Sequence, residues 1–248
     1  MKRLALALGL AFAALPAAAF DISEMSAAER QTFRAEIRSY LLENPGVLME
    51  AIAVLEQQQQ ADQSANDVAL LAANEVDLYA DPSSWVGGNP EGDVTIVEFL
   101  DYRCGFCRRA HPEVTDLIAK DGNIRLIIKE FPILGEQSTL ASRFAIAVLQ
   151  LAGQDMYKKA HDELILFRGE ISEESLTRLA TRMGLDAAVV TEQMNSPDVS
   201  EVISQNRALG QRLQINGTPS FVFGDQMVRG YLPLNDMESI VREMRADG

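Results

Sequence analysis

Asp101-Tyr102-Arg103-Cys104-Gly105-Phe106-Cys107-Arg108-Arg109 contains the only two cysteines in a chain of 248 residues. The stretch before it, Val94-Thr95-Ile96-Val97-Glu98-Phe99-Leu100, is an almost unbroken apolar run with one acid inside. Such a run reads as a central strand covered on both faces. Two cysteines separated by two residues, where a strand gives way to a helix, point to a thiol–disulfide site. The spacing lets both sulfurs lie in the first helical turn. There the unpaired N–H groups and the helix dipole stabilise a thiolate on the first of them. Cys104 is therefore expected to be the nucleophile, and Cys107, one turn further in, the resolving thiol.

Other uses of two cysteines are weaker. A static bridge over so short a loop constrains the unfolded chain very little. A structural zinc site takes four ligands, and there is no second cysteine pair. His111 follows Cys107 by four residues, so a copper or zinc carrier built on Cys104, Cys107 and His111 stands as the alternative. An oligomeric holdase, with the N-terminal helices as its working part, is a third reading. His111 and His161 otherwise read as structural.

On the N-terminal side, Met1-Lys2-Arg3 precedes an apolar run from Leu4 to Leu15 and then Ala17-Ala18-Ala19. A charged start, a run too short to span a bilayer and a small-residue end make a secretory leader, residues 1–19, cleaved after Ala19. The chain is then exported to an oxidising compartment, which suits redox cysteines. Residues 20–80 are expected to be helical. Phe33, Ile37, Tyr40 and Leu41 form one apolar stripe, and Leu48, Ile52 and Leu55 form a second after Asn44-Pro45. Both stripes are narrow for a core, so this region is expected to join copies of the chain. Turn residues at Asp81-Pro82-Ser83-Ser84 and Gly87-Gly88-Asn89-Pro90 mark the boundary to a domain over 81–248.

On the C-terminal side, Ile124 to Ile128 reads as a second buried strand, so strand, helix and strand make a parallel βαβ unit. Pro112 is expected to kink the helix between them. Residues from about 135 to 215 carry helical periodicity. Asn216-Gly217-Thr218-Pro219 then leads into Ser220-Phe221-Val222-Phe223, and Gly224-Asp225 turns it into a hairpin. A helix with Leu234, Met237, Ile240, Val241 and Met244 closes the domain. The chain carries 22 basic and 36 acidic residues, a net charge of −14. That balance repels nucleic acid and anionic membrane surfaces, so neither is expected as a partner.

From Asp81 to Gly248 the chain resembles the DsbA-like branch of the thioredoxin superfamily. The resemblance rests on Val-Glu-Phe before Cys-Gly-Phe-Cys, on the helical insert, and on Gly-Thr-Pro-Ser-Phe-Val before a hairpin. Leu-Leu-Glu-Asn-Pro at 41–45 is similar to the ScsC-like subgroup, which carries an N-terminal oligomerisation stalk and includes trimeric disulfide isomerases. The Gly105-Phe106 dipeptide departs from the Pro-His of the archetypal oxidase.

The resemblance implies an α/β thioredoxin fold with a helical insertion, preceded by an α-helical stalk. It implies a periplasmic disulfide isomerase, reductase or oxidase with a redox-active Cys104–Cys107 pair, acting on protein thiols and disulfides. It further implies a DsbB- or DsbD-like membrane redox partner and a homo-oligomer, three being the subgroup's number; no cofactor and no resident metal are expected. Pro219 matches the cis-proline that faces the active disulfide, which gives Thr218 and Pro219 to substrate binding. Glu98 matches a buried acid of thioredoxin-like enzymes, suited to carry the proton of Cys107. Lys129, on the neighbouring strand, is expected to be its partner.

Overall fold

The central strand is built from the apolar run before the cysteines, and the rest of the fold is ordered around it. The computed structural model describes residues 22–247, so the leader expected at 1–19 lies outside the described residues. A 3-10 turn, Ile22–Glu24, leads to helices α1 (Ala27–Glu43), α2 (Gly46–Ala73) and α3 (Glu75–Tyr79). Then come β1 (Trp85–Gly88), β2 (Val94–Leu100), α4 (Gly105–Asp121) and β3 (Ile124–Glu130). The insert supplies α5 (Glu136–Ala152), α6 (Gln154–Ile165), α7 (Glu173–Arg182), α8 (Ala187–Met194) and α9 (Pro197–Arg212). The hairpin β4 (Ser220–Phe223) and β5 (Gln226–Arg229) precedes α10 (Leu234–Asp247). No helix among the described residues is long and apolar enough to cross a membrane.

The five strands form one sheet in the order β1-β3-β2-β4-β5. β2 and β3 are parallel, as the βαβ reading expects, and the other neighbours are antiparallel. β1 was not expected: Gly87 and Gly88 read as turn residues, yet they pair with Leu126 and Arg125 of β3. α4 carries Pro112 inside it and runs on to Asp121, where Gly122 takes a left-handed conformation as its cap.

The two faces of the sheet carry separate cores. Ile96, Leu100, Leu126, Ile128, Phe221 and Phe223 belong to the larger one, with α4 and the insert helices. Val97, Phe99, Ile127, Phe131 and Val222 belong to the other, with Leu71, Leu78, Leu209 and Leu213. Each fully buried aliphatic or aromatic side chain contributes about 1.5–3 kcal/mol relative to exposure.

The described residues divide into two compact units, one ending at Gln58 and the other beginning at Gln59. This division falls earlier in the chain than the turn residues near residue 80. The segment before Asp81 is bound into the second unit by specific contacts. Asp67 accepts two hydrogen bonds from the Arg229 guanidinium, both at 2.7 Å. Tyr79 donates from its hydroxyl to Gly224 O at 2.7 Å. Arg212 Nε donates to Asn74 Oδ1 at 2.6 Å. The turn residues at 81–90 therefore mark a bend inside the unit.

In the first unit, α1 opens on a capping box. Ser26 Oγ accepts from Glu29 N at 3.3 Å, and Glu29 Oε2 accepts from Ser26 N at 2.9 Å. α1 buries no residue. Phe33, Ile37, Tyr40, Leu48, Ile52 and Leu55 are all exposed on the single chain.

Candidate active site

β2 delivers the chain to the cysteines through Asp101, which is fully buried. Asp101 Oδ1 accepts from Arg103 N at 2.8 Å, and its backbone carbonyl accepts from Cys104 N at 3.0 Å. Asp101 Oδ2 accepts from Ile133 N at 2.8 Å and Leu134 N at 3.0 Å, in the loop after β3. One carboxylate thus fixes the turn before the helix and the loop that runs beside it. Sequence reading passed over this residue; an Asp one place after a strand and two before an N–H it accepts from is an Asx-turn signal.

Cys104 is the N-cap residue of α4, in an extended conformation at the helix start. Both cysteines are thiols, Cys104 7% exposed and Cys107 1%. Cys104 Sγ lies 3.0 Å from the carbonyl oxygen of Thr218, and the Thr218–Pro219 bond is cis. The carbonyl before the cis bond therefore stands against the first cysteine.

The two thiols are split electrostatically. A hydrogen bond from Cys107, then one from the Thr218 side chain and two from the backbone N–H groups of Cys107 and Phe106, hold Cys104 down at about 5, against the penalty of burial. Burial pushes the Cys107 thiol far up, and its bond to Cys104 and the charge of Glu98 add to this. The proton of the pair thus stays on the inner sulfur while the outer one ionises.

The arginines around the helix start are engaged elsewhere. Arg103 Nη1 donates to Gly169 O at 3.0 Å. Arg108 donates from Nε to Ile165 O at 2.9 Å and from Nη2 to Phe167 O at 3.2 Å. Arg109 lies over the Tyr231 ring, 4.2 Å from its centroid. They fasten neighbouring segments to the helix. The thiolate is stabilised by hydrogen bonds.

Glu98 is buried, and its pKa is raised to about 8, first by burial and then by the charge of Glu130. The expected pairing with Lys129 does not form. In the register of β2 and β3, Glu98 is opposite Ile128 and Phe99 is opposite Lys129. Neighbours in register share a face and successive residues alternate, so the two side chains lie on opposite faces of the sheet. Lys129 is itself buried and donates to Asp81 Oδ2 at 2.7 Å and Asp77 O at 2.6 Å. It locks the segment before β1 to the sheet.

The residue that shares the face of Glu98 is Glu130, opposite Leu100. Its Oε1 accepts from the hydroxyls of Tyr102 at 2.7 Å and Tyr157 at 2.6 Å, and its Oε2 from Ser142 Oγ at 2.7 Å. Burial raises its pKa to about 7 while these three hydroxyls pull it down. Parallel register was the signal that singles out Glu130 rather than Lys129.

The three-ligand set of Cys104, Cys107 and His111 is not assembled either. Among the described residues, the group of three metal-binding side chains with converging atoms is His111, His161 and Asp162. The helical spacing puts His111 near the cysteines in sequence, but its side chain turns toward α6.

A strand leading to a buried acid, a Cys-x-x-Cys pair at a helix start and a cis-proline loop opposite it define a thioredoxin-like redox domain. The chain belongs to the DSBA-like thioredoxin domain family, which matches residues 95–242. Residues 29–62 match the copper resistance protein ScsC N-terminal domain. A crystal structure of a thioredoxin-like oxidoreductase from Silicibacter pomeroyi is 43% identical, with a TM-score of 0.65, over 70% of this chain and 98% of that one. Proteus mirabilis ScsC in a transitional conformation is 27% identical, with a TM-score of 0.66, over 92% of this chain and all of that one. The Na(+)/H(+) antiporter NhaA 3 of Salinispora tropica is 30% identical over 62% of this chain, which spans only 24% of that protein's length. The family is one of thiol–disulfide oxidoreductases.

Proposed function

We propose that this chain is an exported protein thiol–disulfide oxidoreductase working through Cys104 and Cys107 in the periplasm. The observation that carries the reading is the split between the two thiols: an outer sulfur ionised at neutral pH and an inner one held protonated beside a buried acid. A single cysteine pair with equal thiols has no preferred order of attack; this one does.

The Cys104 thiolate attacks one sulfur of a substrate disulfide. The other substrate sulfur leaves as a thiolate, and Cys104 is joined to the substrate in a mixed disulfide. Cys107 then gives its proton to the carboxylate of Glu98 and attacks Cys104 Sγ. The substrate leaves as a second thiolate, reduced by two electrons, and the Cys104–Cys107 disulfide holds the oxidised state. Run backwards, the same steps oxidise a substrate dithiol. Run halfway, with the mixed disulfide resolved by another substrate thiol, they isomerise. A pKa near 8 keeps Glu98 within reach of both proton states at neutral pH.

Substrate is held on the rim. Thr218 offers its backbone opposite Cys104, where an extended segment can add as a strand. Phe106, Leu134 and Leu166 are exposed apolar side chains. They belong to segments tied to Asp101 or Arg108. An apolar rim suits unfolded polypeptide. The N-terminal unit gives the assembly: an exposed apolar stripe on α1 and the start of α2 joins chains, three by the family's habit, and sets several thiolates around one substrate. That arrangement favours isomerisation. A membrane oxidant or reductant of the DsbB or DsbD kind resets the pair.

The test is reduction of insulin and refolding of a scrambled disulfide protein, with the redox potential of the pair measured against glutathione. Cys104→Ser should abolish both activities, and Cys107→Ser should trap a mixed disulfide. Full activity in Cys104→Ser would overturn the reading.

A further inference from the structure

α6 brings two potential metal ligands, His161 and Asp162, against His111 of α4. The rings of His111 and His161 have centroids 5.1 Å apart. His111 Nε2 is 3.3 Å from Asp162 Oδ1. One ligand atom from each of the three residues lies within 4.8 Å of the others. Ligands held about 2.0–2.2 Å from a tetrahedral zinc ion are roughly 3.3 Å apart. His111 and Asp162 already stand at that separation, and side-chain rotation closes the rest.

The protonation of His161 is set from behind. It is 4% exposed, and its Nδ1 lies 3.2 Å from the Tyr102 hydroxyl oxygen. A phenol has one proton, and Tyr102 gives it to Glu130 Oε1. The Tyr102 oxygen must then accept from His161, which puts the imidazole proton on Nδ1 and leaves a lone pair on Nε2. A carboxylate acting through a hydroxyl to fix a histidine tautomer is how metal-binding histidines are oriented. His161, His111 and Lys158 also line a mainly apolar cavity of about 200 Å³, whose wall includes Glu98.

We propose that His111, His161 and Asp162 form a binding site for a divalent transition-metal ion of the zinc class, separate from the cysteine pair. Two imidazoles and a carboxylate suit zinc and its neighbours over magnesium or calcium, and three protein ligands leave a coordination position open. Lys158 Nζ lies 2.6 and 2.5 Å from the two oxygens of Asp162. Its side chain is 40% exposed, so it can withdraw to water when a metal arrives. Lys158 is thus a competitor for the site.

The experiment is equilibrium dialysis of the full chain against Zn²⁺ alone, with the Cys104–Cys107 disulfide formed so that neither sulfur is a ligand. The expected result is one ion per chain, with a dissociation constant below about 10 μM. His111→Ala and Asp162→Asn, both at partly exposed positions, should each weaken binding about tenfold or more. Lys158→Met should tighten it several-fold, an effect that loss of folding cannot imitate. Glu163→Gln, a neighbour outside the cluster, should leave it unchanged. Binding only at millimolar Zn²⁺, or binding indifferent to both His111→Ala and Asp162→Asn, would overturn the site. So would weaker binding in Lys158→Met.

Discussion

Glu98 and Glu130 project from adjacent parallel strands onto the same face of the sheet, two residues apart in register, and both are buried. They are not equivalent. Glu130 is held by three hydroxyl donors, whereas the pKa of Glu98 rises through burial and the charge of its neighbour. Glu130 therefore ionises first, at about 7, and Glu98 keeps its proton to about 8. The neighbouring charge makes Glu98 a stronger base than an isolated carboxylate.

This pair makes stability depend on pH with a definite sign. The native pKa of Glu98 lies above its ordinary value of 4.5, so the native state binds more protons than the unfolded one. The stabilisation is complete below about pH 4.5 and is lost as pH rises through about 8. The full shift corresponds to roughly 5 kcal/mol between the two protonation states, as an order of magnitude. Glu98→Gln removes the titration, so urea unfolding of the reduced variant should lose less stability than the parent between pH 5 and pH 9. The same variant should slow turnover and still form the disulfide. Parallel stability profiles in variant and parent would show that Glu98 does not titrate there.

Alkylation should distinguish the cysteines. With Cys104 held at about 5, its reaction with iodoacetamide should be near its plateau at pH 7, and Cys107 should stay unmodified until the chain unfolds. Mass spectrometry of tryptic peptides after a short pulse across a pH series reads this directly. First modification at Cys107 would reverse the assignment of nucleophile and resolving thiol.

Asp101 offers a structural test of the same site. Asp101→Ala leaves the N–H groups of Arg103, Ile133 and Leu134 without their acceptor. These bonds are only partly buried, so each lost acceptor costs nearer the net value of a hydrogen bond, and the variant should lose about 1.5–3 kcal/mol, measured by urea unfolding. The loop after β3 should also exchange its amide hydrogens faster. A loss under 1 kcal/mol would mean that water replaces the carboxylate, and that Asp101 does not set the helix start.

The sequence was most legible where chemistry and local geometry coincide. The strand before the cysteines, the helix they open and the hairpin after Pro219 follow from apolar runs and turn residues, and the structure has all three. Partners across strands were not legible. Choosing Glu130 over Lys129 needed the register of β2 and β3, and a shift of one residue changes the face. β1 was hidden because two glycines have strong turn signals, whereas its pairing is decided by the exposed edge of β3. The packing of the segment before residue 80 was hidden for a similar reason: Leu71 and Leu78 look like a continuation of a helix, and only tertiary packing shows that they belong to the second core.

Assembly is the last expectation to test, and the boundary at Gln58 and Gln59 decides how. A chain starting at Asp81 would lose Leu71, Leu78 and the Asp67–Arg229 pair, and would be destabilised for reasons unrelated to assembly. A chain starting at Gln59 keeps them. Phe33, Ile37, Tyr40, Leu48, Ile52 and Leu55 are exposed on the single chain, and burial is worth about 1.5–3 kcal/mol for each large apolar side chain. Even partial burial of six such residues per chain matches the roughly 4–15 kcal/mol that association costs. Light scattering should therefore give an oligomer for the full chain and a monomer for the chain starting at Gln59. Ile37→Asp with Leu48→Asp should produce the monomer without truncation. The monomers should retain insulin reduction, because Cys104, Cys107 and Glu98 are untouched, and lose most scrambled-substrate refolding, because a released thiol no longer meets a second site at high effective concentration. A full-length chain that is monomeric at tens of micromolar would sink the stalk as an assembly device, and equal refolding by monomer and oligomer would sever assembly from isomerisation.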